Sequence, residues 1–162
     1  MLTNAGECVF NRCTKDEWPV GVIMSVLWAK GSFWITAGAH RHRISAIRRN
    51  PQVSIVVSGS CNPAGCPPGT ITAKGLAVIH EDRETKDWFY PAFAGRMPDK
   101  EAAKRFEEQL DSPLRLMIEF DATWASCLMT GRDRAARNLA RRWAGRIGSQ
   151  PCAHRLGPRS ER

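Results

Sequence analysis

No apolar run in this 162-residue chain is long enough to cross a membrane. The longest uncharged apolar stretch, Val20 to Ala29, is about half of the roughly 20 residues a membrane helix needs. The N-terminus, MLTNAGECVF, lacks the basic segment followed by an apolar one that marks a secretory signal. A cytoplasmic protein with no membrane partner is the expectation. No internal repeat is visible, and neither a catalytic triad nor a pair of acid–base carboxylates stands out. The length suits one domain with a sizeable core and is too short for two comfortable ones.

Six cysteines are present, and none falls in a tight metal-binding pair. Cys8/Cys13 and Cys61/Cys66 share a C-x4-C spacing, at the loose end of structural zinc spacing. The first pair lies in ECVFNRC, which also reads as a strand. Five residues apart on a strand, the two side chains face opposite ways. Reduced thiols and no metal site are expected, and without a secretion signal disulfides are not.

The net charge of +8 changes meaning once it is divided along the chain. Residues 1–130 carry 15 basic and 14 acidic side chains, close to neutrality. Residues 131–162 carry nine Arg and no Lys against Asp133 and Glu161. The basicity belongs to a C-terminal extension, expected to be partly helical over Asp133–Ile147 and disordered beyond Gly148. Any nucleic-acid contact is expected through this tail alone. Apart from Trp143, the tail lacks interleaved aromatics for stacking on bases.

Within residues 1–130 the pattern is mostly strand. Residues 7–13, Val20–Trp28, Ser32–Ala37, Gln52–Ser58, Thr70–His80, Leu114–Phe120 and Trp124–Thr130 read as strands. Ala29-Lys30-Gly31-Ser32 reads as a hairpin connection. The internal Gly75 suggests a bulge or a close backbone approach. Ile44, Ile47 and Arg48 fall at helical spacing in a short basic helix that Asn50-Pro51 closes, and helices are expected over Glu81–Ala94 and over Pro98–Leu110 with Asp99 near its start. SGSCNPAGCPPG, rich in Pro and Gly, reads as an exposed loop. Antiparallel strands with a few short helices describe a small, mainly β barrel of the α+β class.

The chemistry concentrates between residues 36 and 43. A strand ends near Thr36, and a short basic helix follows with Arg41 and Arg43 at its entry. Cationic forks, a hydroxyl and the N–H groups of a helix start then lie together, an arrangement suited to a phosphate. A solvated helix face is the plainer reading of the same arginines. His40 and His42 flank them at a turn and are expected to point apart, without a metal. Trp88, Phe89 and Tyr90, before a proline, read as a core plug. Trp28 and Trp34, on either side of the hairpin, suit barrel packing or a dimer interface. Asp82, Glu84 and Asp87 read as a helix N-terminus.

The blocks PVGVIMSVLWAKGSFWIT, RHRISAIRRNPQVSIVV, TITAKGLAVI and LRLMIEFDATWAS follow the order of the flavin-binding split-barrel family related to pyridoxamine 5′-phosphate oxidase, which residues 7–130 of the chain resemble. The resemblance implies a split β-barrel of antiparallel strands with short flanking helices. It also implies a homodimer with cofactor sites at the subunit interface. Carried onto this chain, Thr36 and Ala37 would supply hydroxyl and backbone contacts, and Arg41 and Arg43 would grip the cofactor phosphate. Met24, Ser25 and Val26 would run along the ring through backbone groups, and Lys74 could face the cofactor or its tail. The implied cofactor is FMN or the deazaflavin coenzyme F-420, and the implied activity is hydride transfer to or from a small-molecule substrate. The cofactor does that chemistry itself, so the missing triad is no objection.

The chain departs from the family pattern in three places. It begins almost at the first strand, so the helix that precedes that strand in relatives is expected to be missing or reduced. Thr72 stands where the vitamin-oxidising members tend to have Arg. Arg155-Leu156-Gly157-Pro158 has the letters of those members' C-terminal signature with no strand before it. A flavin- or deazaflavin-dependent reductase therefore fits better than pyridoxamine phosphate oxidation. Two other classes stand beside it. One is a non-catalytic flavin-, deazaflavin- or haem-binding protein on the same barrel, and the other is a nucleic-acid-associated barrel acting through the Arg tail.

Overall fold

The computed structural model describes residues 5–59 and 69–129. In these, seven strands and three helices run β1 (Glu7–Cys13), β2 (Pro19–Ser25), β3 (Leu27–Ala29), β4 (Ser32–Gly38), α1 (His42–Arg49), β5 (Gln52–Ser58), β6 (Gly69–His80), α2 (Arg83–Ala94), α3 (Lys100–Leu110) and β7 (Arg115–Met129). The Arg-rich extension and the Cys61/Cys66 loop lie outside the described residues.

All strand pairings are antiparallel, in the order β2-β1-β5-β6-β7-β4-β3. Only Val26 separates β2 from β3, so one run of chain occupies both edges and the sheet curls round on itself. The expected single strand Val20–Trp28 is thus broken at Val26, where the chain leaves one edge for the other. The two-residue turn between β3 and β4 has Lys30 at φ 53° and Gly31 at φ 84°. Positive φ at both central positions is the twist-compatible hairpin geometry, and glycine adopts it without steric cost.

Alternation along the strands sorts residues between the barrel interior and its outer surface. Phe10, Val26, Phe33, Ile35, Ile55, Val57, Ala73, Ile118 and Phe120 fill the interior with Ile44 and Ile47 of α1, which closes one end. Cys8 belongs to this core, while Cys13 at the end of β1 is only half-buried. Burial in apolar surroundings, with Glu7 adding to it, pushes the Cys8 thiol up from 9.0 to about 12. The folded state therefore favours the neutral thiol. That contribution to stability is full below pH 9 and is lost as the pH climbs through about 12. Peptide-resolved alkylation at pH 8 should label Cys13 in the native protein and Cys8 only after unfolding.

A second core lies outside the barrel. Trp34 and Met117 point outward from β4 and β7 and are covered by Phe89, Tyr90 and Phe93 of α2 and Leu110 of α3. Trp34 and Trp88 meet edge to face at 4.7 Å, and Phe89 stacks on Phe93 at 5.1 Å. The aromatic cluster in KDWFYPAF is the core plug that its composition suggested. Helix α2 starts two residues later than expected because the Asp82 carboxylate caps it, accepting from the Thr85 N–H at 2.7 Å. Asp99 caps α3 in the same way, through the Ala102 N–H at 2.7 Å. Phe89 is fully buried, and Phe89→Ala should cost about 3–5 kcal/mol in denaturant unfolding.

The expected strands Leu114–Phe120 and Trp124–Thr130 are one 15-residue strand, β7. It crosses the intervening polar residues by a bulge opposite Lys74/Gly75, with Thr123 as the extra residue. No helix among the described residues is long and apolar enough to cross a membrane.

Candidate functional site

The start of α1 carries two arginines, Arg41 and Arg43, on either side of His42. Arg41 occupies the N-cap with extended backbone and no side-chain cap, and the first turn holds no acidic residue. Asp, Asn, Ser or Thr would normally satisfy the leading N–H groups here. Instead the helix start has no side-chain cap: the Ile44 N–H donates to the Arg41 carbonyl at 2.9 Å, and the His42 and Arg43 N–H groups lie beside two guanidinium groups, which together favour an anion. Arg41 is exposed and Arg43 is half-buried. Burial, then Arg41 and Arg12 nearby, lower the pKa of Arg43. Among the described residues, none of these three arginines pairs with a carboxylate.

Arg12 was not among the residues that the sequence singled out. It shares the inward parity of Cys8 and Phe10 on β1. Its Nε and Nη1 are buried and have no hydrogen-bond partner. An arginine on the core-facing parity of a strand end was the signal that could have found it. Leaving such donors dry and unpaired is costly, so an anionic ligand is what the position fits.

The other expected site residues fall into three places. Thr36 and Ala37 lie near the end of β4, which finishes at Gly38 shortly before the helix start. The Thr36 hydroxyl donates to the Leu116 carbonyl at 2.9 Å, which leaves its lone pairs to accept, and the Ala37 side chain is buried. Met24 and Val26 point into the barrel, whereas Ser25 is exposed. Strands β2 and β4 touch where the sheet closes, and Leu27, the residue after Val26, lies opposite Trp34 of β4. The Val26 N–H donates to the Gly6 carbonyl at 3.1 Å, and its carbonyl accepts from Arg96 Nη1. Arg96 Nη2 also donates to the Ala5 carbonyl, so the β2–β3 break is fastened from the α2–α3 connection.

Lys74 stands apart, on the outer face of β6, with Nζ 5.6 Å from the centre of the Trp124 ring. It lines a groove of about 480 Å³ together with Arg12, Ser54, Gln52, Leu76 and Thr123. Arg48 and Arg49 are not part of the cluster. Arg48 pairs with Glu81 at 2.6 Å in solvent, and Arg49 donates to the Cys13 carbonyl at 3.3 Å.

The family model described as pyridoxamine 5′-phosphate oxidase matches residues 10–127. The chain belongs to that family. Among solved structures, an "F420 Reductase" is 19% identical, covering 77% of this chain and 93% of its own, with a TM-score of 0.55. A Listeria innocua protein provisionally named pyridoxamine 5′-phosphate oxidase is also 19% identical, with 80% and 93% covered and a TM-score of 0.60. A conserved hypothetical protein of Mycobacterium tuberculosis is 15% identical, with 78% and 79% covered and a TM-score of 0.66. At such identities these structures share the fold with this chain. No curated protein gives a match.

The pyridoxamine 5′-phosphate oxidase family binds flavin-type cofactors. The orphaned guanidinium nitrogens of Arg12 and the uncapped, acid-free start of α1 fit the phosphate of such a group.

Proposed function

We propose that the protein is an oxidoreductase that uses FMN or the deazaflavin coenzyme F-420 to move a hydride to or from a small substrate, with the cofactor at a homodimer interface. The observation that carries the reading is the cationic, uncapped start of α1. Arg41 and Arg43 grip the phosphate, the first amides of α1 close on it, and Thr36 and Ala37 frame it. When bound, the cofactor supplies the hydride chemistry, and the protein's task is to bind, orient and exclude water. Met24 and Ser25 offer backbone groups along the ring. Val26, with its N–H and carbonyl already engaged, contributes shape rather than hydrogen bonds.

The outer face of the barrel supports a second copy of the chain as partner. Val9 lies opposite Ile23 on β2 and Val56 on β5, and Leu76, Val78 and Trp124 extend the same face. Ile23 is 68% exposed, and Leu76, Val78 and Trp124 are each more than 40% exposed. These exposed apolar side chains lie on either side of the polar row Asn11, Ser54 and Lys74, and exposed apolar area on one sheet face marks an interaction surface. Ile23→Lys should shift the protein to monomer in analytical ultracentrifugation, whereas a wild type already monomeric would remove the dimer from the reading.

The activity is tested by reconstituting the protein with each cofactor and following cofactor absorbance under anaerobic conditions. Bleaching of bound FMN by a reduced nicotinamide, or oxidation of reduced deazaflavin by an acceptor, is the expected result. Tight binding without any electron exchange would leave a cofactor-binding protein without this activity.

A further inference from the structure

Tyr90 of α2 is 3% exposed, and its hydroxyl is buried without a hydrogen-bond partner. The ring belongs to the second core, where Phe89 and Phe93 of the same helix pack with no polar atom to satisfy. A buried hydroxyl left unpaired costs about 1–3 kcal/mol. Its presence beside two phenylalanines therefore calls for a group that pairs with it. Burial, then the Asp111 carboxylate, raise the pKa of the phenol against the opposing pull of Arg115 and Arg83, so the hydroxyl keeps its proton to donate.

Tyr90 lines a cleft of about 220 Å³ between α2 and α3. Lys86, one turn earlier on the same face of α2, lines it too. Lys86 is 9% exposed, and its ammonium forms no ion pair among the described residues. Where the start of α2 meets the end of α3, Arg83 Nη1 donates to both Asp111 carboxylate oxygens at 2.9 Å and Nε donates to Asp87 at 2.6 Å. Those three residues satisfy one another. Glu107 and Glu108 supply the α3 wall, and neither carboxylate is paired among the described residues. Pro91, also on the wall, has no N–H to give the Asp87 carbonyl, which loses its helical donor there.

The unengaged groups are thus of two kinds. Lys86 and Tyr90 offer donors from α2, and Glu107 and Glu108 offer negatively charged acceptors from α3. An anion alone would meet the two carboxylates, and a cation alone would meet the ammonium. We propose that the α2–α3 cleft binds a small zwitterion of the amino-acid class, its carboxylate on Lys86 and Tyr90 and its ammonium on Glu107 and Glu108. At about 220 Å³ the cleft is smaller than the roughly 300–1,000 Å³ of drug-sized pockets, which limits the ligand to a compact metabolite. None of the residues assigned to the cofactor lines it, so the inference stands apart from the flavin reading.

The experiment uses the full chain without cofactor. The common L-amino acids, each at millimolar concentration, are screened for a rise in melting temperature. The strongest is then titrated by calorimetry into wild type, Tyr90→Phe, Lys86→Met and Glu107→Gln, and so are its amide and its N-acetyl derivative, which each lack one charge. Tyr90→Phe should weaken binding about fivefold, and Lys86→Met or Glu107→Gln about tenfold or more. Amidation should cost wild type as much as Lys86→Met does and cost the Lys86→Met variant little. N-acetylation should stand in the same relation to Glu107→Gln. Without ligand, Tyr90→Phe should melt no lower than wild type, because an unpaired buried hydroxyl has been removed. A clearly lower melting temperature would make the hydroxyl a structural group and overturn the proposal. Failure of every amino acid to bind would overturn it as well, and so would binding that Tyr90→Phe and Lys86→Met leave unchanged.

Discussion

Replacing Arg41 and Arg43 together by alanine is expected to weaken cofactor binding by about 100-fold or more, with the fold intact. Hydrogen bonds to charged groups contribute about 1.5–3 kcal/mol each, and every 1.4 kcal/mol is a factor of ten in affinity. Two lost guanidinium–phosphate contacts therefore reach that size. Neither side chain is paired with a carboxylate, so removing them leaves no orphaned acid among the described residues. Arg43 sits half-buried beside Arg41 and Arg12, and truncation relieves that mutual repulsion. The melting temperature should hold or rise while affinity collapses, and the two readings come from one set of titrations and melts. The remaining binding should also depend less on salt, because fewer cation–phosphate contacts are left to screen. A change of only about twofold would return these arginines to the solvated helix face that their spacing also allows.

The second large effect is expected at Gly75. A Cβ there would come within 1.9 Å of the Asp121 carbonyl oxygen and 2.8 Å of the Ala122 Cα, both backbone atoms that cannot swing aside. Gly75→Ala must therefore open the longest ladder of the sheet at its bulge, between β6 and β7. Overpacking costs about 1–3 kcal/mol and occasionally more. With rigid backbone on the receiving side, about 3 kcal/mol is the expected cost, a fall of roughly 10 °C in melting temperature for a chain of this length. The same displacement would move Lys74 and Thr123, which flank the bulge and line the groove. A melting temperature within about 2 °C of wild type would show that the strands separate there at little cost.

Features written locally in the chain were legible. The hairpin at Lys30-Gly31 needs positive φ at adjacent positions and Gly supplies one of them; β5 alternates cleanly from Gln52 to Ser58; Asp99 precedes an amphipathic helix that it caps. Gly75 also read correctly, since a glycine inside an apolar strand has few other uses. Features set by distant partners were not. Asp121 and Thr123 looked like a gap between two strands, because a bulge and a turn use the same polar residues. The break at Val26 depends on the barrel closing and on Arg96, 70 residues away, fastening it. The outward second core could not be read from Trp34 alone, since its cover comes from α2 and α3. At the site, Arg41 and Arg43 were visible because a helix start organises them within one turn. Arg12 was missed because its meaning depends on a parity shared with Phe10 and on an α1 neighbour folded over from elsewhere.

The most direct measurement of the central claim compares each cofactor with its own ring system lacking the phosphate: FMN against riboflavin, and the deazaflavin coenzyme against its phosphate-free core. If the start of α1 is a phosphate site, at least one of the phosphorylated forms binds, and its phosphate-free counterpart binds about 100-fold more weakly or worse. Equal affinity within every pair whose phosphorylated form binds would show that the ring alone carries recognition, and the cationic start of α1 would have no part in it.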